Sequence, residues 1–171
     1  TTIVVDEPWF TIDDKGERWS PRNYKERYYG KITIRRMIEK SINVATAKFM
    51  NESVGIERTI RAARKLGIKS RLDSYPSLAL GSSGITPLEM ASAYGVFADG
   101  GMRAEPLSIV YLEDRQGNII EENKPIRYRA IDPKVAYLAT YIMQGVIEQG
   151  TGIRVRTMEF YRPAAGKTGT T

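Results

Sequence analysis

Apolar residues recur along this chain at two different spacings, and most of its length carries the helical one. Thr33 precedes Ile34, Met37 and Ile38, which share a face, so a short helix is predicted over 33–40 with Thr33 as its cap. Val44, Ala45, Ala47, Phe49 and Met50 then occupy much of a helical circumference over 43–53, the pattern of a helix buried on more than one side. The next helix, 56–66, is two-faced: Ile56, Ile60, Ala63 and Leu66 lie opposite Arg58, Arg61, Arg64 and Lys65, and Gly67 closes it.

Thr86-Pro87-Leu88-Glu89 reads as a capping box with proline at the first helical position, opening a helix that runs to Phe97 or Ala98 and stops at Gly100-Gly101. Glu89 is therefore assigned to capping and given no catalytic role. The spacing then changes. Pro106 to Leu112 and Asn118 to Glu122 are β-prone runs around a turn containing Gly117, which predicts a peripheral hairpin. Asp132-Pro133 starts a long helix with Val135, Leu138, Ala139, Ile142, Met143, Val146 and Ile147 on a wide apolar face, ended by Gly150.

Residues 1–30, with their prolines, Trp9, Trp19 and several tyrosines, are expected to form an irregular loop packed on a scaffold. The expected organisation is one partial domain: loop 1–30, helical core 31–101, hairpin 102–130, helix 131–150, and 151–171 as a loop leading into a strand. No repeat or interdomain linker interrupts it.

Composition narrows the chemistry. The chain has 171 residues, 42% hydrophobic and 27% charged, the balance of an ordinary globular domain. It has no histidine and no cysteine, which excludes Ser-His-Asp and Cys-His mechanisms and any thiolate metal site. No metal site or cofactor is expected. The net charge of +6 favours anionic partners, but the arginines of 56–66 form a solvated face with no interleaved aromatics to stack on bases, so no nucleic-acid partner is expected. Apolar runs are too short to span a bilayer, and no membrane contact is expected from this segment.

Two short motifs carry candidate chemistry. Lys167-Thr168-Gly169-Thr170 fits the Lys-Thr-Gly element of penicillin-recognising serine sites, and Ser41-Ile42-Asn43 fits the Ser-x-Asn element that accompanies it. Taken alone, Ser41 also reads as the N-cap of the helix that begins near Asn43, and Lys167 as a solvated surface lysine. Between the motifs run Leu80-Gly81-Ser82-Ser83-Gly84-Ile85-Thr86-Pro87-Leu88-Glu89-Met90-Ala91-Ser92-Ala93-Tyr94 and Phe97-Ala98-Asp99-Gly100-Gly101. With Trp19-Ser20-Pro21-Arg22-Asn23-Tyr24 and Gly150-Thr151-Gly152, these stretches resemble the transpeptidase domain of bifunctional class A penicillin-binding proteins over essentially the whole chain.

The resemblance implies a mainly α fold with a small β-hairpin, the helical part of a β-lactamase/transpeptidase-like α+β domain, with the Lys-Thr-Gly strand at the C-terminus. It also implies serine acyl transfer on peptidoglycan stem peptides, acylation by β-lactams, and an extracytoplasmic parent protein anchored in the membrane. Ser41 would relay a proton, Asn43 would orient a lysine or the substrate amide, and Lys167 would supply positive charge. Thr168 and Thr170 would bind the substrate carboxylate, and Gly169 would let the substrate backbone approach. The family's nucleophile belongs to a Ser-x-x-Lys motif, and here no serine is followed three positions later by lysine. The chain is therefore expected to be an inactive piece of a larger enzyme, its terminal strand disordered or paired with another molecule. The alternative is a non-catalytic helical module of the same fold that binds peptidoglycan or a partner protein.

Overall fold

The computed structural model describes residues 2–12 and 16–169. Strand β1 (Ile3–Asp6) pairs antiparallel with β4 (Gly30–Thr33), and β2 (Thr11–Ile12) with β3 (Arg18–Trp19). Residues 3–6, expected to belong to an irregular loop over 1–30, are strand instead, because the Ile3-Val4-Val5 run has β4 to lie against. Helices α1 (Ile34–Glu39) and α2 (Asn43–Phe49) follow, and α2 continues as a π-helical turn, Met50–Val54. Thr33 Oγ1 caps α1 by accepting from the Arg36 amide at 3.1 Å, as its position predicts.

Helix α3 (Ile56–Lys65) has the two faces read from its pattern: Ile56, Ile60 and Ala63 are partly buried, and so is Leu66 just beyond its end, while Arg58, Arg61, Arg64 and Lys65 are exposed. Helix α4 (Pro87–Ala98) carries the full capping box. Strand β5 (Met102–Ala104) pairs with β8 (Arg127–Arg129), and between them β6 (Tyr111–Glu113) and β7 (Ile119–Glu122) form the hairpin. The β5–β8 pair was not anticipated, and the first hairpin strand is shorter than the run from Pro106 suggests. The Asp114 carboxylate closes the hairpin turn by accepting from the amides of Gln116 and Asn118, both at 2.8 Å.

Helix α5 (Pro133–Glu148) is capped by Asp132, whose carboxylate accepts from the Lys134 amide at 2.8 Å. Its apolar face is only partly covered: Val146 and Ile147 are buried, whereas Val135 and Leu138 are exposed. Burial is confined to Ala136 and the C-terminal part, where the helix lies beside α1. A short helix, α6 (Arg154–Thr157), occupies a stretch expected to be loop. The expected terminal strand does not form over 165–169, which join no sheet among the described residues; Thr170 and Thr171 lie outside them.

The core gathers at the corner between α1 and α2. Ile32, Met37, Ile42 and Ala45 are buried together, with Val4, Ile34, Ile38 and Phe49 packed around them. Each large aliphatic side chain fully buried there stabilises the fold by about 1.5–3 kcal/mol. That packing fixes the corner on which Ser41 sits.

Candidate active site

Ser41 follows α1 at the position where a helix usually ends in glycine. The Ser41 amide donates to the Ile38 carbonyl at 3.2 Å and the Ile42 amide to the Met37 carbonyl at 3.0 Å, the paired bonds of a Schellman ending. Its φ is +52°, a left-handed conformation that costs a residue with a Cβ about 1 kcal/mol relative to glycine. The capping alternative is not realised, because Ile42 is the N-cap of α2 and no side chain bonds there. Strain retained at a serine points to a use for its hydroxyl.

That hydroxyl meets Lys167. Lys167 Nζ donates to Ser41 Oγ at 2.7 Å across 126 positions of sequence, and to the Thr168 carbonyl at 3.0 Å. Although Lys167 is exposed as a residue, the surrounding protein thins the water around its ammonium and lowers its pKa below the ordinary 10.5. The pair lies in a groove of about 730 Å³, walled by Met37 and Ile38 of α1, Leu80 and Gly81 at the end of a short turn (Pro76–Leu80) before α4, Met90 and Tyr94 of α4, and the segment from Ala165 to Gly169.

Of the residues singled out from sequence, Ser41, Lys167, Thr168 and Gly169 share this groove. Asn43 does not line it. At the first position of α2 its side chain faces the N-terminal segment, and its Nδ2 donates to the Arg22 carbonyl at 3.1 Å. Thr170 lies outside the described residues. Among the described residues, no group of acidic, histidine or cysteine side chains is arranged to hold a metal.

Three supporting residues escaped the pattern reading. Asp6 and Asn23 are buried, and Asn23 Nδ2 donates to both Asp6 carboxylate oxygens at 2.9 and 3.0 Å while its Oδ1 accepts from the Val44 amide at 2.9 Å. This satisfies an otherwise unpaired amide at the start of α2. Glu39, also buried, accepts from Arg35 Nε at 2.6 Å and from Gln149 Nε2 at 3.0 Å, linking α1 to the end of α5. The usable signal for Glu39 was a glycine inside a helical run: a Cβ on Gly145 would stand 1.9 Å from Glu39 Oε1.

Glu89 performs its capping role and a second one. Besides closing the box with Thr86, its carboxylate accepts from the amides of Lys69 at 2.6 Å and Ser70 at 2.8 Å and from the Ser70 hydroxyl at 2.5 Å. The Ser70 hydroxyl, followed by the Lys69 amide, holds its pKa down at about 2. An acid so depressed is a structural tie between α4 and the loop after α3.

The family model for the penicillin binding protein transpeptidase domain matches residues 4–171, and the chain belongs to that family. The domain is the transpeptidase domain of class A penicillin-binding proteins. It is 36% identical over 171 residues to penicillin-binding protein 1A of Aquifex aeolicus and 34% identical over 178 residues to penicillin-binding protein 2D of Bacillus subtilis. All of this chain is covered in both matches, but it spans only 23% and 26% of those relatives. The crystal structure of penicillin-binding protein 1A from Haemophilus influenzae superposes with a TM-score of 0.91 at 25% identity, over 99% of this chain and 31% of that one.

Proposed function

We propose that this chain forms one wall of the active site of a serine D,D-transpeptidase that crosslinks peptidoglycan stem peptides outside the cytoplasm. The observation that carries the reading is the 2.7 Å contact from Lys167 Nζ to Ser41 Oγ, made at a strained serine on the floor of an open groove. The nucleophilic serine comes from outside these residues. It attacks the carbonyl of the terminal D-Ala-D-Ala bond, its oxygen forms an ester with the acyl carbon, and the C–N bond breaks as D-Ala leaves with a proton. An amine of a second stem peptide then displaces the serine and takes over the acyl group.

In this scheme the Ser41 hydroxyl passes the proton to the leaving nitrogen, for which reach within hydrogen-bond distance decides more than its own high pKa. The Lys167 ammonium, partly stripped of water, orients that hydroxyl and draws the substrate carboxylate toward Thr168 and, as the motif implies, Thr170. Asn43 reaches the substrate side only if its side chain leaves the Arg22 carbonyl. A β-lactam, which presents a strained amide and a carboxylate to the same groups, acylates the same serine.

The test is covalent labelling with a fluorescent penicillin. The protein expressed from its whole reading frame is expected to be labelled and this chain alone to remain unlabelled. Label on Ser41 in the isolated chain, or none on the whole protein, would overturn the reading.

A further inference from the structure

The contacts around Ser41 and Lys167 close into a ring that includes a residue outside the groove. The Thr151 amide donates to the carbonyl of Glu39 at 3.0 Å, and Thr151 Oγ1 lies 2.6 Å from Thr168 Oγ1. Thr168 is bonded through the chain to Lys167, Lys167 reaches Ser41, and Ser41 is two residues beyond Glu39. The ring is built closely. A Cβ on Gly150 would stand 2.3 Å from the Glu39 carbonyl oxygen, so the residue before Thr151 is glycine at the point where the two backbones meet. The Glu39 carboxylate, held by Arg35 and Gln149, fixes the other side of that junction.

We propose that Thr151 is a positioning residue that sets the direction of the Thr168 hydroxyl. The assignment rests on the transpeptidase reading above. Thr168 lines the groove and Thr151 does not. At 2.6 Å one of the two hydroxyls donates to the other. When Thr151 donates, the oxygen of Thr168 is satisfied and its own O–H is left to donate into the groove, toward an anionic carboxylate. Hydrogen bonds chained in this way strengthen one another, so a carboxylate in the groove and the Thr151 hydroxyl favour the same rotor of Thr168. Without Thr151 that rotor is free, and binding must fix it.

The inference predicts a loss in binding before acylation, with the chemical step preserved. In the whole protein, Thr151→Val is expected to weaken the reversible complex with benzylpenicillin about three- to tenfold, between the freezing of one hydroxyl rotor and the loss of one neutral hydrogen bond, while the maximal acylation rate stays within about twofold. Thr151→Ser should restore binding. Thr168→Val alone should weaken binding at least as much, and Thr151→Val added to it should weaken it no further. Thr151→Ala, read beside a thermal melt, serves the same purpose if the valine variant fails to fold. Wild-type protein that takes no penicillin refutes the transpeptidase reading. Wild-type protein that acylates, with Thr151→Val binding penicillin equally well or with additive effects of the two valines, refutes the role of Thr151 alone.

Discussion

Ser41 Oγ lies 2.7 Å from Lys167 Nζ, although the serine follows the first helix and the lysine lies a few residues from the last position. The serine makes that contact from a left-handed backbone, φ +52°. Replacing Ser41 by glycine is therefore expected to leave thermal stability unchanged or raise it by up to about 1 kcal/mol, while penicillin acylation of the whole protein falls by at least about a hundredfold. Ser41→Ala should lose the same activity without the gain in stability. Calorimetry and acylation kinetics on both variants check this, and a glycine variant that unfolds below the alanine variant would show that the strain is absent.

The lowered pKa of Lys167 sets a pH dependence. Its ammonium donates to Ser41 and attracts carboxylate only while protonated, so acylation should decline on the alkaline side with a midpoint below 10.5. Lys167→Arg, which stays charged, should lower the maximum but remove that decline. Rates measured from neutral to high pH decide the matter, and an identical alkaline limb in the arginine variant would assign it to another group.

Glu89 should make stability fall in acid. A carboxyl held at about 2 in the fold, against 4.5 when free, contributes stability that is complete above 4.5 and is lost as pH falls toward 2. Glu89→Gln should be less stable at neutral pH and show a flatter profile across that interval. Denaturant midpoints of both proteins between pH 2 and 6 measure it.

Gly145 and Glu39 should be coupled. An alanine at Gly145 places its Cβ 1.9 Å from Glu39 Oε1 and must displace a buried carboxylate from Arg35 and Gln149, at a cost of about 2–4 kcal/mol. Glu39→Ala removes the obstacle, so the double variant should be less destabilised than the sum of the two single ones. Additive losses in urea titrations would mean that the close approach is relieved elsewhere.

The helices were legible in the sequence because each obeys local rules. Thr33 and Thr86 cap the helices they were expected to cap, Asp132-Pro133 opens the helix it was expected to start, and the stripe of Ile56, Ile60, Ala63 and Leu66 lies inward, since a cap and a 3.6-residue period are both written within a few positions. The pairing of β1 with β4, the β5–β8 pair and the exposed part of α5 were not legible. Each depends on which distant surface arrives alongside, and local pattern does not record that.

The sequence by itself determined the candidate chemistry: Ser41 and Lys167 as motif members, no histidine, no cysteine, and no serine followed three positions later by lysine. Tertiary structure alone decided the geometry among them. It gave Ser41 its left-handed turn, put Asn43 on the Arg22 carbonyl outside the groove, and joined Thr151 to Thr168 over a backbone contact made at Gly150. The physical reason is that hydrogen bonds act over about 3 Å in space whatever the separation in sequence, so residues far apart in the chain become one site only when the packed core between them fixes the distance.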